Sequence, residues 1–240
     1  MPSLVPQPTT CPRCNNSGWI PLPGDDLRVE ACGCANDLRR RQRLTSINVP
    51  KRYEHCSLDT FRENSPILRV AKQRVGEFVN LWPNVQEGKG LLLMGGCGVG
   101  KTHLAVAALL EIIKGGKAGR LLFSNFQDLI QEIQASFDEG NAATKSEILR
   151  PVLEADLLVL DELGSQKPTQ FVQDILYYII NTRYNEERAT IFTTNYYDRS
   201  NDSKEETLEQ RIGTRLRSRL AEMADRIEFT GATDHRRNTL

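Results

Sequence analysis

The chain has 240 residues, 39% of them hydrophobic, and its 31 basic side chains balance 31 acidic ones. That length carries a full core plus a small appendage. Zero formal net charge excludes bulk electrostatics as a guide to partners, and no apolar run approaches the length that crosses a membrane.

The opening MPSLVPQPTT is polar and proline-rich, without the basic start or apolar stretch of a signal peptide. The expected compartment is therefore the cytoplasm, where thiols stay reduced. Four of the six cysteines follow at once: Cys11-x-x-Cys14, then 17 residues, then Cys32-x-Cys34. The intervening NNSGWIPLPGDDLRVEA is rich in turn formers and poor in core residues. Two short thiolate pairs suit tetrahedral Zn²⁺, and a metal supplies the stability that such a segment lacks. The second pair is one residue shorter than the common spacing, so His55 or Cys56 stands as an alternative to Cys34. Asn36 to Leu44 is helical and basic; with Lys51 and Arg52, its Arg39, Arg40, Arg41 and Arg43 could face phosphates or simply solvent. Asn48 to Phe61 reads as an extended linker, because Pro50 disfavours helix before it. The expected domains are residues 1–47, a zinc-binding module with its basic helix, and 48–240, the main folded domain.

From Ser65 the pattern changes. SPILRVAKQRVGEFVN offers an N-cap serine, a proline in the first turn, and Ile67, Ala71, Val75 and Phe78 at helical spacing. Strands and helices then alternate. Leu91 to Met94 is a buried strand, and Lys101 to about Lys114 a helix ended by Gly115 and Gly116. Arg120 to Ser124 is the second strand. NFQDLIQEIQASF is helical, and TKSEILRPVLE opens with a capping-box pair, Thr144 and Glu147. DLLVLDE is the third strand, TQFVQDILYYIINTRYNEE a long amphipathic helix, and Thr190 to Asn195 the fourth strand. A polar helix carrying Leu208, Ile212, Leu216 and Leu220 precedes a short last strand, RIEFT. Apolar strands alternating with helices predict an α/β fold with a parallel sheet covered on both faces.

Gly95, four residues, then Gly100-Lys101-Thr102 matches the phosphate-binding loop in its required setting, after a buried strand and opening a helix. Gly95, Gly98 and Gly100 allow the backbone amides to turn inward onto phosphate oxygens, and the helix N-terminus adds partial positive charge. Lys101 is expected on the β and γ phosphates, and Thr102 on Mg²⁺. Gly96, Cys97, Val99 and His103 complete the ATP-binding stretch, Cys97 with no separate role. Asp161 ends the third strand at the carboxyl edge, where open parallel sheets bind ligands, and can hold Mg²⁺ with Thr102. Glu162 beside it is placed to deprotonate water. Asn195 offers an amide to the γ phosphate or to that water.

Loop, Asp-Glu strand, Asn-ended strand and downstream arginines together resemble the AAA+ ATPases. GKTHLA (Gly100 to Ala105), LLVLDELG (Leu157 to Gly164) and TTNY (Thr193 to Tyr196) resemble the bacterial helicase loaders of the DnaC and DnaI type and their relatives, the IstB transposition ATPases. VPKRYEHCSLDTF (Val49 to Phe61) is similar to the segment before the ATPase core in these families. RLRSRLAEM (Arg215 to Met223) is similar to their arginine-finger segment, and GATDHR (Gly231 to Arg236) to their terminal Gly-x-Asp-Tyr-Arg, with His235 in place of the aromatic.

The resemblance implies a five-stranded sheet in the order 5-1-4-3-2, with helices on both faces and no C-terminal helical lid. Whether Arg236 takes over from a lid arginine stays open. It implies a homo-oligomer with ATP at subunit interfaces and Arg219 as the finger that reaches a neighbour's γ phosphate, Arg215 being the runner-up. The region from Asn125 to Leu149 becomes a surface for single-stranded DNA. The cysteine module becomes a dock for the replicative helicase, or a second contact to DNA. The implied function is ATP-dependent loading of that helicase, with an ATPase that is weak alone and stimulated by partner or DNA. The alternatives are an IstB-type transposition ATPase and an adaptor that keeps ATP as a structural ligand without hydrolysing it.

Overall fold

The computed structural model describes residues 11–15, 17–22, 25–137, 144–199 and 205–231; at 25–27, 31 and 35–41 the backbone alone is described. The chain divides into two units, Met1–Ser46 and Ile47–Leu240.

In the first unit, β1 (Trp19–Leu22) and β2 (Asp25–Ala31) pair as an antiparallel hairpin, and α1 (Gly33–Ser46) follows. Cys11 and Cys14 sit in the turn before β1, where Asn15 N–H donates to the Cys11 carbonyl and Ser17 N–H to that of Cys14. Cys32 follows β2, and Cys34 lies in the first turn of α1.

The second unit is built on five parallel strands: β3 (Gly90–Met94), β4 (Leu121–Asn125), β5 (Leu157–Asp161), β6 (Ala189–Thr194) and β7 (Ala224–Glu228). Their spatial order is β4-β5-β6-β3-β7. Numbered within the sheet, that is the expected 5-1-4-3-2. The helices are α2 (Pro66–Leu81), α3 (Lys101–Lys114), α4 (Phe126–Ala135), α5 (Lys145–Glu154), α6 (Gln170–Asn185), α7 (Leu208–Ile212) and α8 (Thr214–Met223). Among the described residues no helical lid follows β7.

Alternation along each strand splits the core in two. Leu91, Leu93, Leu157, Val159 and Ile191 pack with α2 and α3 on one face. Leu92, Met94, Leu158, Leu160 and Phe192 pack with α4, α5, α6 and α8 on the other. This two-sided burial is why these strands read as unbroken apolar runs. The helix starts follow their caps: Ser65 accepts from Leu68 N–H before α2, and Thr144 and Glu147 close a full capping box on α5. Helix α3 differs. Its N-cap is Gly100, in a left-handed conformation, and no side chain caps its first turn.

The stretch from Asn48 to Phe61 departs from the expectation of an extended linker. It folds through a 3₁₀ turn (Lys51–Tyr53) onto the core, with Cys56 and Phe61 buried and Val49, Tyr53 and Leu58 packed against the same cluster. These apolar residues fall at irregular spacing, so no period betrays their burial. The described part of the Asn125–Leu149 region is α4 and the start of α5; residues 138–143 lie outside the described residues, as do His235 and Arg236.

Candidate functional site

At the carboxyl edge of the sheet, the loop after β3 arches over the N-terminus of α3. Both of its outer glycines are fixed by packing. A side-chain carbon on Gly95 would lie 2.6 Å from Phe229 Cβ, and one on Gly100, whose φ is +99°, 2.6 Å from the Phe61 ring. Gly96 N–H donates to the Tyr197 hydroxyl at 3.3 Å. Lys101 is buried and donates through Nζ to the carbonyls of Gly95 (2.7 Å) and Gly96 (2.6 Å) and to Asn195 Oδ1 (2.8 Å). The loop, Lys101 and Asn195, expected together from sequence, thus meet at one point.

Opposite them stands the acidic pair. Asp161 is 3% exposed, and its Oδ1 accepts from Thr102 Oγ1 at 2.9 Å and Thr193 Oγ1 at 2.6 Å. Burial pushes its carboxyl above the ordinary aspartate range, and the two hydroxyls oppose that rise. Glu162 takes a left-handed backbone, φ 60°. Its N–H donates to Thr193 Oγ1 (3.0 Å), and its Oε2 accepts from Asn125 Nδ2 (3.2 Å). Thr193 therefore holds both acids from the neighbouring strand.

Between loop and acids lies a cavity of 380 Å³, lined by Gly98, Gly100, Lys101, Thr102, Glu162, Thr193 and Asn195. Its outer wall is the Asn48–Phe61 segment and the residue after it: Arg52, Tyr53, His55, Thr60, Phe61 and Arg62. Cys97, exposed, and His103 line it too. Val99 points away into the core. His103 donates through Nε2 to the Ser57 carbonyl at 2.9 Å, tying that wall to α3. Burial pulls its imidazole pKa down, and the bond to Ser57 opposes that fall. The donor set of Thr102 hydroxyl, which lines the cavity, and the Asp161 carboxylate bonded to it is the kind that a hard cation such as Mg²⁺ takes.

In the first unit the four sulfurs of Cys11, Cys14, Cys32 and Cys34 lie within 4.8 Å of one another. Cys14 and Cys34 are 3.1 Å apart, Cys11 and Cys32 3.8 Å. Four thiolates about 2.3 Å from one Zn²⁺ stand about 3.8 Å apart, so the cluster fits that ion. The contact between Cys14 and Cys34 draws the Cys14 thiol down to about 6 and pushes that of Cys34 up. Cys34 is the fourth sulfur of this cluster, whereas Cys56 lies in the apolar core of the second unit, its thiol pushed up to about 11 by burial, and His55 lines the cavity there.

The fold agrees with the comparisons. The family model described as IstB-like ATP binding protein matches residues 37–237. The chain belongs to the IstB-like ATP-binding family. Among its relatives is a protein named Replicative helicase loader DnaC, from Buchnera aphidicola subsp. Baizongia pistaciae, 31% identical over 70% of this chain and 68% of the relative. The Escherichia coli protein of the same name is 26% identical over 70% of this chain; the match spans 64% of that protein, and for the Escherichia coli protein YdaV 38%. Two solved structures share the fold: "Crystal structure of the DnaC helicase loader" (TM-score 0.63, 35% identity, 75% of this chain and 99% of that one) and AMPPCP-bound DnaA from Aquifex aeolicus (0.57, 26%, 74% and 51%).

In this IstB-like chain the arginines from Arg211 to Arg219 have separate surroundings. Arg217 is ion-paired with Asp198. Arg219, on α8, lies over two rings of α6, Tyr177 at 5.0 Å and Tyr184 at 5.7 Å. Arg211 turns inward onto backbone carbonyls, and Arg215 is exposed. In the basic stretch near the N-terminus, the side chains of Arg39, Arg40 and Arg41 lie outside the described residues, and Arg52 lines the cavity. Sequence reading passed over Thr193, Asn125 and Phe61. The family match begins beyond the cysteine cluster, and no helix among the described residues is long and apolar enough to cross a membrane.

Proposed function

We propose that this chain hydrolyses ATP and uses it to load the replicative DNA helicase onto single-stranded DNA. The observation that carries the reading is the convergence, in a chain 35% identical to a DnaC helicase loader structure, of uncapped α3 amides, Lys101, the Thr102–Asp161 pair and Glu162 around one cavity.

The α3 amides and Lys101 bind the phosphates; the γ phosphate replaces the Gly95 and Gly96 carbonyls as the partner of Lys101 Nζ. Thr102 and Asp161 would hold Mg²⁺, which when bound neutralises charge on the β and γ oxygens. Glu162 takes the proton of the attacking water, and Asn195, already bonded to Lys101, orients the γ phosphate. The ordered acid pair favours hydrolysis over an adaptor that merely keeps ATP, and relatives named as helicase loaders favour loading over transposition. Turnover is slow in the isolated chain and rises with helicase or DNA. The chain works as a homo-oligomer, with ATP between subunits and Arg219 acting in trans. Cys11, Cys14, Cys32 and Cys34 would hold one structural Zn²⁺; the module so closed docks on the helicase, and α4–α5 faces single-stranded DNA.

The test is reconstitution. Purified helicase, this chain and covalently closed single-stranded circles are mixed with and without ATP, and helicase retained on the circles is counted. Wild type should deposit helicase with ATP, and Lys101→Ala should not. Helicase that neither binds the chain nor reaches the circles rejects the reading.

A further inference from the structure

Arg211 stands outside the nucleotide cavity, yet it is built into the loop that carries Glu162. Its side chain is 9% exposed. Nε donates to the Gly164 carbonyl at 2.8 Å, and Nη2 to those of Gln166 at 2.8 Å and Ser165 at 3.2 Å. Nη1 pairs with Glu206 at 2.9 Å, and the guanidinium lies over the Tyr196 ring at 5.0 Å. Three successive carbonyls thus converge on one side chain. Carbonyls gathered this way repel one another unless donors stand at their focus. The planar arginine fork supplies several donors in fixed directions, where a lysine ammonium offers a single point.

The same loop starts at Glu162, whose left-handed backbone persists only where its surroundings hold it. Strand β6 holds the first half. Leu163 N–H donates to the Thr193 carbonyl at 2.8 Å, and the Leu163 carbonyl accepts from Thr194 Oγ1 at 2.8 Å. The second half folds back, Ser165 N–H donating to the Glu162 carbonyl at 3.0 Å. Arg211 grips that half. Gly164 leaves no slack beneath it: a side-chain carbon there would stand 3.2 Å from Arg211 Cβ and 3.3 Å from the Tyr196 ring.

We propose that Arg211 is a positioning residue for hydrolysis: by gathering the carbonyls of residues 164–166 it fixes the Glu162 turn and so aims the Glu162 carboxylate. This rests on the reading of Glu162 as the base. Arg211 sits in the last turn of α7, which passes through Gly213 into α8, the helix that carries Arg219. The clamp therefore also ties the helix bearing the proposed finger to the loop bearing the proposed base.

Arg211→Lys keeps the charge and the Glu206 pair and loses the fork. Arg211→Met fills similar space with no donor. Amide hydrogen exchange of residues 162–167, affinity for a non-hydrolysable ATP analogue, and ATP turnover are measured in wild type, both variants, Glu162→Gln and the double variants. Exchange in 162–167 should quicken while analogue affinity stays within about twofold, and turnover should fall on the order of 10²-fold, the size expected of a displacement near 1 Å. The double variants should be no slower than Glu162→Gln alone, since an absent base cannot be misaimed. A merely structural role would lower affinity and turnover together and add to the Glu162→Gln loss; that pattern overturns the proposal. So does unchanged exchange in both variants, or faster exchange with wild-type turnover while Glu162→Gln stays inactive. Turnover indifferent to Glu162→Gln removes the base itself and the proposal with it, and the exchange data then still tell whether the clamp exists.

Discussion

Asn125, the last residue of β4, donates through Nδ2 to Glu162 Oε2 at 3.2 Å while its own Oδ1 caps α4 by accepting from Gln127 and Asp128 N–H. One side chain thus starts a helix and restrains the proposed base. The parallel register makes this possible: Asn125 pairs with Asp161, one residue before Glu162.

Asn125→Ser separates the two jobs. Serine remains a good N-cap, so thermal stability should move by less than about 0.5 kcal/mol. It lacks the reach and the amide to hold Glu162. Released from that amide, the carboxylate can turn toward water, and turnover of the isolated chain should rise, by up to roughly tenfold for a charged hydrogen bond of about 1.5 kcal/mol. Steady-state ATPase assays decide it; slower or unchanged turnover means that Asn125 does not restrain the base.

Lys101→Ala removes the buried cation of the cavity. ATP affinity should fall by roughly 10- to 100-fold or more, as losing a charged hydrogen bond of about 1.5–3 kcal/mol requires. Glu162→Gln should bind ATP as wild type does and stop hydrolysis, because an amide cannot accept the proton of water. Calorimetric titration and phosphate release separate the two. Equal turnover in wild type and Glu162→Gln would falsify the assignment of the base.

Protein purified without chelator should carry about one zinc per chain, with the four cysteine sulfurs near 2.3 Å from it. Strong chelation should unfold Met1–Ser46, since this short unit has little apolar core of its own. ATP affinity should not change, because every residue lining the cavity belongs to the second unit. Metal analysis and ATP titration before and after chelation check both statements. A metal-free preparation that still binds its partner rejects the zinc.

Arg219→Ala should bind ATP normally and hydrolyse poorly at any protein concentration, since trans fingers contribute about 10³- to 10⁵-fold in rate. Mixed with Lys101→Ala, it should regain turnover: one partner brings an intact ATP site, the other an intact arginine. Co-assembly is checked by sedimentation. No recovery at any ratio argues against a trans role, and recovery with Arg215→Ala instead places the finger one turn upstream.

Arg183 tests the scaffold rather than the chemistry. It is 1% exposed, and its guanidinium donates to Thr190 Oγ1 and to the carbonyls of Val152, Leu153, Ala155 and Ala189, joining the end of α5 to β6. Arg183→Met fills the space but strands buried acceptors, at about 1–3 kcal/mol or more for the set. Denaturant unfolding should show that loss. Full stability would mean that water replaces the guanidinium.

The sequence by itself determined the order and type of the core elements. Unbroken aliphatic runs such as Leu157 to Leu160 need burial on both faces, and only a parallel sheet under helices provides it. It also determined the phosphate loop and the Asp161–Glu162 pair, because these residues act through neighbours in the chain. The cysteine cluster was legible for the same reason: two tight pairs each bring two sulfurs together through neighbours in the chain.

Tertiary structure decided what depends on register and on packing without a period. Thr193 reaches Asp161 and Glu162, and Asn125 reaches Glu162, only because β4, β5 and β6 lie side by side. The Asn48–Phe61 segment becomes a cavity wall because scattered side chains find a cluster that no local pattern announces. Arginines that looked alike in sequence part ways for one physical reason. Arg211 meets converging carbonyls, Arg217 a carboxylate and Arg219 two aromatic faces, and such partners are set by the folded chain rather than by spacing along it.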